Sequence, residues 1–446
     1  MLTLIKRLYA TIHRAYIYGG LVEVFGCIKA GCTVLVLGLL GGLAKASSPP
    51  EFWPSWSPEL LAYRPYREGR WAIRSAANTP LTYASLFSCL TQNVHASVPV
   101  RQGSPIQGLA AKRISSDFQL PAGDADIHAL QDCLRAMYQE QRLLVTRTAN
   151  NDIWRIDFSE VPQKVTSIII PTRDRVDLLD NCIRSIQRYS KPGTYEIIVV
   201  DNGSIEPYSM AYFSNLEKSM VARIVRDAGL FNWSRLNNLG ATLATGETYL
   251  FLNNDIEVLS CDWLIRLSGF CSVSGIGCVG PMLVYEDRTI QHAGVVVGMG
   301  RWADHVYKFA DPDLSQSNTL FVPPAIVRPV LALTGACLAV SRTNFTTVGG
   351  FDEGFATIFS DTDFCIRLHE AGLRNIYLGD VRLVHFESKT RDPSALPVAD
   401  FRRAFTQLEP YRTQLADPYF HPDFSRFSLI PRLKSQRIDL ARWTRL

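Results

Sequence analysis

The sequence lacks several of the patterns by which a chain is quickly assigned to a class. Its 446 residues include ten cysteines but no CxxC pair, and several of these cysteines lie in apolar runs. This favours buried free thiols in a reducing compartment over a disulfide framework. Positive charge is not in excess either, because 46 basic and 42 acidic side chains give a net charge of +4. No nucleic-acid partner is therefore expected. With 47% hydrophobic and 20% charged residues, the composition excludes wholesale disorder, and the length predicts more than one domain.

The sequence around its most apolar stretch also lacks an uncharged run as long as a membrane-spanning helix. Residues 30–44 (AGCTVLVLGLLGGLA) carry no charge, but a bilayer core needs about twenty such residues. Upstream, basic residues such as Lys6 and Arg7 mix with apolar ones, a pattern suited to an anionic membrane surface. A buried helix, a surface anchor and a true span all remain open for this segment. We treat residues 1–46 as a possible membrane anchor, and residues 47–160, which open on a Ser/Pro-rich linker, as a region of unknown function.

From residue 165 the sequence changes to a strand–helix–strand pattern. Thr166–Pro171 and Glu196–Val200 are short β-branched runs, typical of buried parallel strands. Between them an amphipathic helix is predicted, with Asp177 as its N-cap. Parallel sheets bind ligands beyond the carboxyl ends of their strands, where Thr172 and Asp174 follow the first strand and Asp201 follows the second. Neither turn carries GxGxxG or GxxxxGK[ST], which disfavours a dinucleotide fold and a P-loop.

A third predicted strand, Thr248–Leu252, leads directly into Asn253-Asn254-Asp255. Carboxylate and amide oxygens at a strand end suit a hard divalent cation that carries phosphate oxygens. The alternative is that Asp255 only caps a turn. Three strand ends in one sheet, each followed by an aspartate, favour a shared binding site.

Two further candidates come later in the chain. A helix is predicted from Ser360, with Gly372 as its stop, and Asp361 lies in its first turn. A carboxylate there either complements the helix dipole or serves as a general base. His385 follows another apolar strand and is either structural or a contact for metal or phosphate.

These segments together resemble a family 2 glycosyltransferase with the GT-A fold, most closely the rhamnosyltransferase-like enzymes of bacterial O-antigen and surface-polysaccharide assembly. The resemblance is carried by eight motifs in order: IIIPTRDR (168–175), EIIVVDNGS (196–204), FNWSRLNNLGA (231–241), LFLNNDIEV (250–258), TGACLAVSR (334–342), GGFDE (349–353), SDTDFCIRLHEAG (360–372) and VHFES (384–388). It implies an α/β catalytic domain at residues 165–392, with a mostly parallel sheet flanked by helices. A mainly helical N-terminal appendage would precede this domain, and a tail, residues 393–446, would pack on it.

Carried over position by position, the resemblance implies a role for each candidate residue. Asp361 would be the catalytic base, and Asp255 and His385 would hold Mg²⁺ or Mn²⁺. The residues that would bind the nucleotide sugar are Thr172, Asp174, Asp201, Asn237, Asn238 and Asn254, with Asp201 meeting the uracil or thymine base. The sequence departs from the family at Asn253, where an acidic residue is usual, and at Ser360, where Glu or Asn is usual.

The function this implies is inverting transfer of a sugar from a UDP- or dTDP-linked donor, rhamnose being one candidate. The acceptor would be a saccharide or a lipid-linked saccharide in cell-surface polysaccharide assembly. Because nucleotide sugars are cytosolic in bacteria, the expected location is the cytoplasm, at the inner face of the plasma membrane. A catalytically degenerate scaffold that binds nucleotide sugar is the alternative. A nucleotidyltransferase is disfavoured, because no Gly-rich basic loop follows the first strand.

Overall fold

The computed structural model describes residues 165–386, the region expected to be catalytic, nearly throughout and the N-terminal third only in short pieces. The described residues are 64–65, 71–74, 80–81, 131, 135, 139–147, 154–158, 165–314, 324–386, 397–414, 417–420 and 424–431. Residues 1–46, with the apolar run at 30–44, lie outside them, so the expected membrane contact stays a prediction. Among the described residues, no helix is both long and apolar enough to cross a bilayer.

The described elements are seventeen strands and seven α-helices. The strands are β1 (Arg64–Pro65), β2 (Trp71–Arg74), β3 (Pro80–Leu81), β4 (Leu143–Arg147), β5 (Trp154–Phe158), β6 (Thr166–Thr172), β7 (Tyr195–Asp201), β8 (Arg223–Arg226), β9 (Thr248–Leu252), β10 (Ile256–Val258), β11 (Ile276–Val284), β12 (Ile290–His292), β13 (Val295–Val297), β14 (Ala303–His305), β15 (Val327–Val330), β16 (Cys337–Ser341) and β17 (Arg374–His385). The helices are α1 (Val176–Tyr189), α2 (Pro207–Lys218), α3 (Trp233–Leu243), α4 (Trp263–Cys271), α5 (Arg342–Thr347), α6 (Ser360–Glu370) and α7 (Val398–Gln407).

A ten-stranded sheet forms the centre of the catalytic region, and the predicted α/β sheet flanked by helices is confirmed. Its order is β10-β17-β11-β16-β9-β6-β7-β8, with β12 beside β11 and β15 beside β17. The sheet is less parallel than expected: β9, β6, β7 and β8 form one parallel block, whereas β16 runs antiparallel to both its neighbours. Because β16 is reversed, β11 and β17 point the same way as the parallel block. The strands that carry the site therefore still end at one edge.

The strands beside the site form where apolar runs are continuous. Every residue of β9 is buried, and so is every residue of β6 except Pro171, because helices and loops cover both faces of a parallel sheet. Helix α1 begins two residues earlier than an Asp177 N-cap predicts. Its N-cap is Arg175, with φ 47°, and not Asp177, which lies in the first turn and pairs with the Arg175 guanidinium. Helix α6 begins at Ser360 as predicted, and Gly372 follows it with φ 84°.

In the described part of residues 47–160 the elements with defined bounds are the strands β1–β5, and Gln131 and Arg135 are helical, so the mainly helical appendage stays a prediction. In the β4–β5 hairpin, Leu143 and Val145 are buried, as are Ile156 and Phe158 opposite them. This alternation has the two-residue period of a strand with one covered face. The hairpin packs on α4, where the buried Arg266 guanidinium donates to the Ile156 carbonyl.

The segment after residue 393 also contacts the catalytic region. Asp417 Oδ2 accepts from the Val297 amide at 3.0 Å, and the Tyr307 and Gly300 amides donate to the carbonyls of Leu429 and Arg426. All six cysteines in the described residues are free, and five of them are buried. This agrees with the prediction of reduced thiols.

Candidate active site

The polar residues that follow four strands meet at one edge of the sheet. Thr172 ends β6 and Asp201 ends β7, and the two are register partners. The Asn253-Asn254-Asp255 triplet follows β9, and Asp255 immediately precedes Ile256, the register partner of His385 at the end of β17. The structure therefore brings the predicted strand-end residues together.

Asp255 and His385 form a buried pair in the centre of this edge. The Asp255 Oδ1 atom lies 3.2 Å from His385 Nε2, and the two residues are 5% and 6% exposed. This contact lacks hydrogen-bond geometry, so Asp255 Oδ1, like His385 Nδ1, has no hydrogen-bond partner. Buried polar atoms without partners need an explanation, and an absent ion is one of the ordinary ones. Mn²⁺ accepts both a carboxylate oxygen and an imidazole as ligands, whereas Mg²⁺ prefers the carboxylate oxygen.

The donor set is incomplete, however, within the residues that the structure describes. In these ranges no group of three or more His, Cys, Asp or Glu side chains is placed to hold a metal ion. The Asp255–His385 pair therefore fits a cation that takes its remaining ligands from water or from the phosphates of a bound nucleotide, as Mg²⁺ commonly does.

Thr172 and Asp174 shape the loop after β6. The Asn254 side-chain amide donates to Thr172 Oγ1 at 2.9 Å, which fixes the second residue of the triplet against this loop. Asp174 Oδ1 accepts from the backbone amides of Ile205 and Glu206, each at 3.0 Å. Asp174 thus ties its loop to the start of α2, and its nucleotide contact stays a prediction.

Asp201 has a partner that the sequence did not indicate. It is 1% exposed; its Oδ1 accepts from the Ser204 amide at 2.8 Å and its Oδ2 from Arg226 Nη1 at 2.9 Å. Arg226 ends β8 and also donates to the Ser204 carbonyl, while its side chain is 43% exposed. The guanidinium is thus the more accessible member of the pair, and the expected contact of Asp201 with a base stays a prediction.

Asn237 and Asn238 lie on α3 and make contacts within the protein. The buried Asn237 amide donates to the Trp233 carbonyl one turn earlier. Asn238 donates to the Phe351 carbonyl and accepts from the Phe351 amide, so it fastens α3 to the GGFDE segment. Their predicted role beside the nucleotide is not tested by these contacts.

Asp361 lies at the beginning of α6 with its carboxylate held by backbone amides. Oδ2 accepts from the Gly335 amide at 2.8 Å, and Oδ1 accepts from the Thr362 amide at 2.7 Å. Burial raises the pKa of Asp361, and the two amides partly oppose this effect. A half-buried carboxylate with raised proton affinity suits a general base. Ser360, at the atypical position, is buried and hydrogen-bonded to Ser234.

The indole of Trp233 lies between Asp361 and the Asp255–His385 pair. A Cβ atom on Gly335 would lie 2.6 Å from this ring and 3.4 Å from Asp361 Cβ, so the indole and the Asp361 Cβ both lie close to Gly335. Trp233 Nε1 faces Asn253 Oδ1 at 3.5 Å, and Asn253 Nδ2 lies 3.4 Å from His385 Nε2. One indole and one amide therefore separate Asp361 from the Asp255–His385 pair.

Trp233 and Gly335 were not among the predicted site residues, although both lie inside the recognised motifs. Replacing Gly335 by Ala would drive a methyl group into the indole, and we expect it to lower the free energy of unfolding by about 1–3 kcal/mol, as overpacking typically does. Chemical denaturation would measure the loss. In a Trp233→Phe background the ring atoms that the methyl meets are absent, so the penalty should shrink. An equal penalty in both backgrounds would contradict the contact.

The chain is also similar in sequence to a known protein family and to several known proteins. Residues 167–283 match the model of the family described as Glycosyl transferase family 2. The chain is 37% identical over 267 residues to the uncharacterized protein y4gI of Sinorhizobium fredii, which covers 58% of this chain and 29% of that protein. It is 30% identical over 393 residues to the O-antigen biosynthesis protein RfbC of Myxococcus xanthus, covering 84% of this chain and 30% of that protein.

A shorter similarity links the chain to an N-acetylglucosaminyl-diphospho-decaprenol L-rhamnosyltransferase of Mycobacterium tuberculosis. The two are 39% identical over 83 residues, 18% of this chain and 27% of that enzyme. The chain thus spans less than a third of the length of each of these relatives. Among solved structures, GalNAc-T7 with UDP, GalNAc and Mn²⁺ matches at a TM-score of 0.47 and 15% identity, over 66% of this chain and 59% of that one.

The sheet, with its polar residues gathered at the carboxyl ends of β6, β7, β9 and β17, defines an α/β domain whose candidate site lies at one sheet edge. The match over residues 167–283 gives the family: the chain carries a family 2 glycosyltransferase domain. The matched range includes the triplet at 253–255 and excludes Asp361 and His385, whose place in the site rests on the structure.

Proposed function

We propose that the chain is an inverting glycosyltransferase that moves a sugar from a nucleotide-diphosphate donor to a saccharide or lipid-linked saccharide acceptor. One observation carries the proposal. A half-buried carboxylate, Asp361, is separated by one indole and one amide from the buried pair Asp255 and His385. A base for the acceptor and a holder for the donor phosphates are the two parts that single-displacement glycosyl transfer needs.

On the acceptor side, Asp361 takes the proton of the attacking hydroxyl. The acceptor oxygen forms a bond to the anomeric carbon while the bond from that carbon to the diphosphate oxygen breaks, so the configuration inverts. The Gly335 and Thr362 amides orient the Asp361 carboxylate. Oδ1 also accepts from Thr362 Oγ1 at 3.3 Å, whereas Oδ2 keeps a further lone pair for the acceptor hydroxyl. General-base assistance of this kind is typically worth about 10² to 10⁴ in rate.

On the donor side, the strand ends supply the contacts. Asp255 and His385 would hold Mg²⁺ or Mn²⁺, whose chemistry when bound is to neutralise the departing diphosphate. Thr172 and Asn254, which are hydrogen-bonded to each other, would contact the nucleotide from the loops that follow β6 and β9. Asp201 with Arg226 would face the base.

The relatives narrow the proposed substrates. RfbC is named for O-antigen biosynthesis, and the mycobacterial relative is named as an L-rhamnosyltransferase acting on a diphospho-decaprenol-linked sugar. By analogy, we propose cell-surface polysaccharide assembly as the setting, with UDP- or dTDP-linked sugars as donors and dTDP-rhamnose as one candidate.

A donor panel tests this function. The full chain with Mn²⁺ is incubated with UDP-, dTDP- and GDP-sugars and a polyprenyl-diphosphate saccharide, and nucleotide release is measured. We expect release with a UDP- or dTDP-sugar, and proton NMR of the product should show an anomeric configuration opposite to that of the donor. Binding without release would favour the scaffold alternative, and retention of configuration would contradict the inverting mechanism.

A further inference from the structure

The loop that leads into the base helix is held from two sides. Residues 352–359 connect the GGFDE segment to α6. On one side the first turn of α3 binds the carbonyls of the loop: the Trp233 amide donates to the Ala356 carbonyl at 2.7 Å, and Ser234 Oγ donates to the Phe355 carbonyl at 2.8 Å. This side belongs to the site already described.

On the other side the amides of the loop converge on one carboxylate, Asp400. The Ala356 amide donates to Asp400 Oδ1 at 3.1 Å, and the Thr357 and Ile358 amides donate to Oδ2 at 2.8 and 2.9 Å. Asp400 lies in the first turn of α7 and is 1% exposed. Three successive amides on one buried carboxylate fix the course of the backbone, because bonds to a charged acceptor are short and strong.

Helix α7 is itself firmly placed against the loop. Phe401 packs edge-on against Phe359, with ring centroids 5.5 Å apart, and Ala404 and Leu408 are fully buried. Phe359 has φ 65° and directly precedes α6. Such a backbone angle in a bulky residue persists only where the surroundings impose it.

We propose that Asp400 is a positioning residue for the catalytic base Asp361, which makes α7 part of the catalytic machinery. This inference rests on the proposed function. Only two residues separate Ile358, the last amide held by Asp400, from Asp361, so a shift of the loop moves the start of α6. The Gly335 amide that meets the Asp361 carboxylate belongs to a different segment and would not follow. A misplacement of about 1 Å in a reacting group can reduce the rate by about 10²-fold.

The test is Asp400→Asn in the full chain. The amide keeps the size of the side chain but turns an NH₂ group toward amides that can only donate. We expect kcat for sugar transfer to fall by about 10- to 100-fold, with donor KM and the stoichiometry of donor binding close to wild type. Asp400→Glu restores the carboxylate and should recover part of the lost rate.

Phe270→Leu is the control, because it removes a buried ring that packs on Phe158 of the β4–β5 hairpin, so the change lies in α4 and not at the amides at 356–358. It should lower the melting temperature and leave kcat at 20 °C within about twofold of wild type. The inference is overturned if Asp400→Asn keeps wild-type kcat, if donor-binding stoichiometry falls in step with kcat, or if Asp400→Glu is no better than Asn. If the Asp400→Asn protein does not fold, Asp400→Ser is tested in its place. A wild-type kcat in the Ser protein would likewise overturn the inference. If the wild-type chain turns over no donor, the proposed function itself is contradicted, and not only the role of Asp400.

Discussion

Asp361→Asn is expected to lower the rate of sugar transfer by about 10² to 10⁴ while donor affinity stays near wild type. The amide has the shape of the carboxylate and its oxygen can still accept from the Gly335 amide, but it cannot take the proton of the acceptor hydroxyl. Because Trp233 and Asn253 lie between Asp361 and the Asp255–His385 pair, loss of the base should not disturb the proposed diphosphate contacts.

The measurement compares two neighbouring acidic residues in the same first turn of α6. Transfer is followed at saturating donor, and donor affinity is measured by calorimetry. Asp363→Asn is the control: Asp363 is also buried, burial raises its pKa, and it pairs with Arg367 at 2.9 Å. It should lose stability but keep its rate within a few-fold. If Asp363→Asn lost more rate than Asp361→Asn, the assignment of Asp361 as the base would be wrong.

The raised pKa of Asp361 also gives this prediction a pH signature. Transfer should fall as the pH drops through a value above that of an ordinary aspartate, because the protonated carboxyl is no longer a base. The folded state also binds this proton more tightly than the unfolded state, so ionised Asp361 opposes folding above its folded pKa. Asn removes this cost but also turns its NH₂ group toward the Thr362 amide, so the Asn protein should melt close to the wild-type temperature near neutral pH. A much lower melting temperature there would show that Asp361 mainly stabilises the fold.

Much of the fold around the site was predictable because its signals are local. Continuous apolar runs predict β6, β7 and β9, and the glycine after α6 predicts where that helix ends. The strand-end rule then places Thr172, Asp201 and Asp255 together, since parallel strands share one edge. The reversed direction of β16 was not predictable, because an apolar run has the same composition in either direction.

The hydrogen-bond partners of the site residues could not be predicted from the sequence either. Asp201 and Arg226 are 25 residues apart, and Asp400 lies 42 to 44 residues from the amides it holds. Such pairs depend on how whole elements pack and not on any local pattern. The same is true of Gly335, whose hydrogen atom is required because the Trp233 ring, about a hundred residues earlier, lies against it.

Asp255→Asn is expected to abolish the dependence of nucleotide-diphosphate binding on Mn²⁺. In wild type, we expect Mn²⁺ to tighten binding of UDP or dTDP, because a cation between Asp255 and the diphosphate joins two groups of like charge. Asn keeps the size but loses the charge and offers one oxygen. Changes to residues that merely support metal ligands typically lower metal affinity by about 10- to 100-fold, so replacing a ligand should lower it at least as much.

Calorimetry of the nucleotide diphosphate with Mn²⁺ and with EDTA measures this effect without turnover. Glu257→Gln is the matched control, because Glu257 lies two residues further along, opposite Val384 in the β10–β17 register, and outside the triplet. It should keep the Mn²⁺-dependent gain in affinity, whereas Asp255→Asn should bind the nucleotide equally with and without Mn²⁺. If Asp255→Asn retains the full gain, the Asp255–His385 pair is a structural contact, and the metal must be held elsewhere or not used.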